Sequence, residues 1–167
     1  MNKLIIYNHG KDSVPWGEKT RVFAEVAARL GYAFESVDYT ATNHPEQRVA
    51  QLLAMDLTAY QEIVLVGSSM GAYVATVASE TLKPAGLFLL APAFYLPGYA
   101  HTEFNPPADR SFVVHGWQDT IVPPEHAYRF CEKSRLRLTM LDSDHRLFSE
   151  LTVLGQLFEG FLRALPR

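Results

Sequence analysis

The sequence predicts an α/β fold, a three-layer α/β/α sandwich with a mostly parallel sheet of about six strands. Three observations predict it. Short runs rich in Ile, Val, Leu and Phe recur along the chain, most plainly at residues 4–7, 63–68 and 85–91, and read as strands buried on both faces. Between such runs, apolar residues fall at helical spacing, as at Val22, Phe23, Val26, Ala27 and Leu30. Strand and helix alternate throughout, the pattern of parallel strands joined by helical crossovers.

Each element has a local reason. Residues 4–7 form a short strand ending in Asn8-His9-Gly10. A helix covers 18–30, with Gly31 as its stop. A strand follows over 33–39, then a helix over 45–55 with Asn43 or His44 near its cap. Residues 63–68 are a strand and 70–82 a helix rich in small residues, which suits close packing. After the strand at 85–91, the proline- and aromatic-rich stretch 92–108 reads as an ordered surface loop. The strand at 110–115 runs into Gly116-Trp117-Gln118-Asp119, and Pro124 opens a helix ending at 134. Basic and apolar residues alternate over 136–141, as expected of a strand at a sheet edge. A helix over 147–165 closes the chain.

Composition narrows the function. The chain has 167 residues, 48% of them hydrophobic and 20% charged, which fits a single globular domain over 1–167. A formal net charge of −3, without a basic block, argues against nucleic acid or an anionic membrane as partner. One cysteine allows no internal disulfide, and no metal cluster or cofactor motif is evident. The apolar run after Met1-Asn2-Lys3 is too short for a signal-peptide core, and none reaches membrane-spanning length, so a cytoplasmic protein is expected.

The chemistry-bearing residues follow strands, where parallel sheets place their ligands. Gly67-Ser68-Ser69-Met70-Gly71 sits between an apolar strand and a helix. Such a turn holds a serine in a strained conformation with its oxygen exposed, and the glycines let neighbouring backbones approach. Asp119 follows the fifth strand and His145 the sixth. With these motifs in hand (Asn8-His9-Gly10, Gly67-Ser68-Ser69-Met70-Gly71, His115-Gly116-x-x-Asp119-x-x-Val122-Pro123 and Asp144-His145), nearly the whole chain resembles the α/β-hydrolase superfamily, in its small serine-esterase form. Two departures stand out. The hairpin that usually precedes the first of these strands is missing, and the helical lid is reduced to the loop 92–108. The resemblance therefore implies a minimal α/β-hydrolase core without a cap domain.

The resemblance also implies roles. Ser69 would be the nucleophile, His145 its base and Asp119 the group that orients the imidazole. Met70 N–H and Lys11 N–H would form the oxyanion hole. Competing residues fit other duties. His9 and His115 precede glycines at strand ends and suit bracing. His44, His101 and His126 lie in polar or loop-like settings. Asp142 suits a surface charge, Asp144 is too close to His145 to aim at its ring, Ser68 suits a turn brace and Cys131 a small buried hydrophobe. Trp16, Phe94, Tyr95, Trp117 and Phe148 lie near strand-end loops and are candidates to line a pocket. The expected function is cleavage of a small-molecule ester or thioester without cofactor or metal, by a monomer or homodimer. The alternatives are an amidase or peptidase with the same triad, a catalytically silent binding module, or a flavodoxin-like binder, the last weakened by the absence of a phosphate loop.

Overall fold

A computed structural model describes residues 2–166. Six strands form one sheet, all neighbours parallel, in the order β2-β1-β3-β4-β5-β6. In chain order the strands are β1 Lys3–Asn8, β2 Ala33–Val37, β3 Glu62–Ser68, β4 Gly86–Leu90, β5 Ser111–Gly116 and β6 Arg137–Leu141. The helices are α1 Glu18–Arg29, α2 Pro45–Leu53, α3 Met70–Leu82, α4 Pro124–Ser134 and α5 Leu151–Ala164.

The side-chain alternation of the central strands divides the core in two. Leu4, Ile6, Leu65, Leu87, Leu89 and Val113 point toward the side of α2, α3 and α4. Ile5, Tyr7, Val64, Val66, Phe88 and Leu90 point toward α1 and α5. On that second face Phe23, Phe88 and Phe158 meet edge to face, with ring centroids 4.9 to 6.0 Å apart. Burying each such side chain contributes on the order of 1.5–3 kcal/mol.

Several boundaries differ from the sequence reading. β2 stops at Val37 because Asp38 caps Thr40 instead, through both its N–H and its hydroxyl. α5 starts at Leu151, later than expected, because Leu147 adopts φ 59° and a single 3-10 turn at Phe148–Glu150 intervenes. The loop 92–108 is anchored by a buried aromatic: Phe94 packs against Phe130 at 4.2 Å and Phe104 at 4.5 Å.

From β1 the chain winds outward to β2, then crosses to the other side of β1 to make β3. The reversal leaves a crevice above the carboxyl ends of β1 and β3, the place where open parallel sheets take ligands. Among the described residues, no helix is long and apolar enough to cross a membrane.

Candidate active site

Ser69 stands at that crevice. It links the last residue of β3 to the first of α3 with φ 55° and ψ −117°, a conformation that typically costs a non-glycine residue ~1–3 kcal/mol. The surroundings hold it there. Ser69 N–H donates to Leu90 O at 2.9 Å, and Ser69 O accepts from Ala72 N–H at 3.0 Å and Ala93 N–H at 3.1 Å. The flanking glycines are required by space. A Cβ on Gly71 would lie 1.8 Å from Asn8 O, and one on Gly67 would lie 2.4 Å from Gly71 O.

His145 and Asp119 come to the same point from β6 and β5. His145 Nε2 lies 2.9 Å from Ser69 Oγ, and His145 Nδ1 lies 2.7 Å from Asp119 Oδ2. A carboxylate only accepts, so Nδ1 carries the proton and Nε2 offers its lone pair to the serine hydroxyl. Asp119 is fixed in turn: its Oδ1 accepts N–H bonds from Ile121 at 2.9 Å and Val122 at 2.8 Å. Burial alone would raise its carboxyl, but hydrogen bonds from His115, His145 and Val122 outweigh that and hold it well below the usual carboxylate range.

His115 is a second histidine on the same carboxylate, 3.1 Å from Asp119 Oδ2. Its Nε2 also faces Val122 O at 2.9 Å; a carbonyl only accepts, so this nitrogen bears the hydrogen. The bare Nδ1 is buried with no hydrogen-bond partner among the described residues. His115 thus braces Asp119 and the 119–122 turn, as the sequence reading has it. Asp142 accepts from Gln118, and Asp144 caps the N–H groups of Arg146 and Leu147. Gly116 allows this crowding, since a Cβ there would meet Ser143 O at 2.2 Å.

Met70 opens α3, and its N–H is one of the first-turn donors that a helix leaves unpaired. Lys11 lies in the exposed turn after β1, next to Gly10, whose Cβ position is 3.4 Å from Ser69 Cβ. Ser68, one residue before the elbow, accepts a hydrogen bond from Lys19 Nζ at 2.9 Å. Lys19 is a residue that sequence reasoning passed over. Burial pushes its amine down to about 8, with Asp144 opposing the shift and Arg146 adding to it.

The aromatic candidates separate. Phe94 is fully buried in the core, so it is not a pocket wall on the surface; its packing against Phe104 and Phe130 is the reason. Trp16 is half exposed and leans on Phe34, with centroids 5.7 Å apart. Tyr95 takes φ 61°, stands edge-on to His126 and lies under the Arg129 guanidinium. Trp117 is exposed and borders a cavity of about 230 Å³ with Tyr128, Leu138 and Met140; none of Ser69, Asp119 and His145 lines it. Phe148 has the Lys19 amine 5.6 Å and the Arg146 guanidinium 6.0 Å from its ring centroid.

The model of the uncharacterised protein family UPF0227 matches residues 4–130. The chain belongs to that family. No curated protein sequence matches it. Among solved structures, this UPF0227 protein is similar to a Xanthomonas campestris protein described as a hydrolase of the alpha/beta superfamily, with 28% identity, a TM-score of 0.88 and coverage of 99% of this chain and 100% of the other. It is also similar to an α/β serine hydrolase without lid from Xanthomonas campestris, at 22% identity and a TM-score of 0.79, over 99% and 83% of the two chains. Est1E from Butyrivibrio proteoclasticus, solved with ferulic acid, gives 18% identity and a TM-score of 0.79, over 98% and 89%. The fold is that of the α/β-hydrolase superfamily in its lidless form.

Proposed function

We propose that this UPF0227 protein is a serine hydrolase that cleaves a carboxylic ester or thioester of a small molecule. The observation that carries the reading is the unbroken chain from Ser69 Oγ through His145 to Asp119, at 2.9 and 2.7 Å. A serine hydroxyl is a weak nucleophile at neutral pH, and a hydrogen-bonded imidazole supplies the base that it needs.

In this mechanism His145 Nε2 takes the Ser69 proton as Oγ attacks the carbonyl carbon. The carbonyl oxygen becomes an oxyanion, met by the N–H groups of Met70 and Lys11. His145, now a cation held by Asp119, returns the proton to the leaving alcohol or thiol, and the acyl group stays on Ser69. A water then gives its proton to Nε2 and attacks the acyl carbon. The acid leaves, and Ser69 regains its proton from His145. Every proton passes through one ring nitrogen.

The test is Ser69→Ala, assayed with short-chain p-nitrophenyl esters and with a fluorophosphonate probe. Turnover and labelling should both vanish. Persistence of either in the folded variant would remove Ser69 from the chemistry. Matched ester, thioester and amide substrates separate the proposed specificity from an amidase; the amide should be the slowest.

A further inference from the structure

Arg48 is a charged side chain in the interior. It lies on α2 on the same face as Pro45, Val49 and Leu52, and it is only 1% exposed. Its guanidinium meets neutral acceptors on two short stretches of chain, residues 9–10 and 42–43. Nε donates to Thr42 O at 2.8 Å, one terminal nitrogen donates to His9 O at 3.0 Å and Gly10 O at 3.2 Å, and the other donates to Asn43 Oδ1 at 3.1 Å. Tyr39 places its ring 5.1 Å from the guanidinium. Burying a charge in this way is costly unless its hydrogen bonds are made.

The acceptors show what is being held. Gly10 O also receives the His9 Nδ1 hydrogen at 2.9 Å, while His9 Nε2 accepts the Tyr39 N–H at 3.0 Å. These two bonds require one neutral tautomer of His9. Gly10 O is therefore pinned by two donors on the α2 side of the loop. The peptide bond between Gly10 and Lys11 is trans, so its N–H points opposite to its C=O. With the carbonyl pinned toward Arg48 and His9, the Lys11 N–H faces away from them. A Cβ placed on Gly10 would lie 3.4 Å from Ser69 Cβ and 3.4 Å from Ser68 O, so the loop after β1 runs alongside the elbow. Beyond Lys11, Asp12 adopts φ 53° and its carboxylate accepts from Asn43 Nδ2 at 2.6 Å, so the guanidinium, Asn43 and Asp12 secure the far end of the turn.

We propose that Arg48 is a positioning residue that presets the oxyanion hole, holding the Gly10–Lys11 peptide so that the Lys11 N–H is aimed at the carbonyl oxygen of a substrate on Ser69. This rests on the serine-hydrolase reading above. Three features suit arginine to the task and lysine poorly: the planar fork, the fixed charge, and donors that reach separate acceptors at once.

The experiment compares wild type with Arg48→Met, Arg48→Lys and Asn43→Ala on a p-nitrophenyl ester. Inhibition by a trifluoromethyl ketone, which forms a tetrahedral oxyanion on the serine, is measured in parallel. Removing one oxyanion donor typically lowers kcat by about 10²–10³-fold, and misaiming one should cost at least about tenfold. The expected result is a folded Arg48→Met with that loss in kcat, little change in KM, and ketone affinity weakened by the same factor as kcat/KM. Arg48→Lys should not restore the rate. Equal kcat in a folded Arg48→Met would overturn the proposal, as would ketone affinity that stays at the wild-type level while the rate falls. Asn43 is exposed, so Asn43→Ala decides the matter if the Arg48 variants do not fold: a lower kcat at unchanged KM supports the clamp, and an unchanged kcat overturns it. Wild-type turnover and its loss in Ser69→Ala report on the hydrolase reading separately, because the Arg48 result is a ratio of folded enzymes.

Discussion

Asp119 shows how much one residue is asked to do. Its two oxygens accept two backbone N–H bonds and face two imidazoles, and the carboxyl is held ionised by them. Asp119→Asn keeps the shape but places an amide against His145, which disfavours the tautomer with a free Nε2. The expected outcome is a fall in kcat of about 10⁴-fold with the fold retained, read by steady-state kinetics beside circular dichroism. A variant that retained most of its activity would show that the imidazole needs no such partner. Lys19 offers a second check at this scale. Its lowered amine means that the folded chain gives up this proton more easily than the unfolded chain, so its contribution to stability rises as pH climbs from about 8 toward 10.5. Urea titrations across that interval should show the rise in wild type and lose it in Lys19→Met.

At the scale of elements, the close approach of α3 to β1 makes the elbow possible. Gly71→Ala would drive a methyl into Asn8 O, a backbone atom, and should cost about 3 kcal/mol or more, measured by urea unfolding. A variant of wild-type stability would mean that β1 and α3 do not meet as described. On the far face, Phe158→Ala empties a three-ring cluster and should cost about 3–5 kcal/mol while leaving KM unchanged.

These elements were largely legible in the sequence. β1, β3 and β4 are apolar runs because both their faces are buried, and Gly67 and Gly71 flag the turn between β3 and α3. Ser69, Asp119 and His145 could be picked out because each follows a strand, though their meeting point depends on the sheet order. Less was legible where tertiary contact decides. Phe94 looked like a loop aromatic, but Phe104 and Phe130 draw it into the core. Arg48 carried a signal that went unread: a charge on the apolar face set by Pro45, Val49 and Leu52. Lys19 carried none, since its partner Ser68 is distant in sequence and is brought near only by the packing of α1 on the sheet.

For the whole molecule, the strand order puts the turn after β1 and the elbow after β3 side by side at the reversal of winding, and β5 and β6 bring in Asp119 and His145 from one flank. Proton linkage follows from the same arrangement. His9 is lowered by burial, with the Gly10 bond opposing that shift, and it accepts a backbone N–H in its neutral form. Asp119 is also lowered. In both cases the unfolded chain takes the proton first as pH falls. Their stabilising contributions are therefore full above the unfolded values, 6.5 for the histidine and 3.8 for the carboxyl, and are lost below them. Stability measured against pH should begin to decline below 6.5 and fall more steeply below 3.8, and Asp119→Asn should flatten the second descent. The measurement closest to the central claim is acid-quenched intact-mass analysis of the protein during turnover of a slowly deacylating ester, with the modified peptide mapped. One acyl group per chain on Ser69, formed as fast as the leaving group is released, is the predicted result; hydrolysis with no acyl group on Ser69 would contradict it.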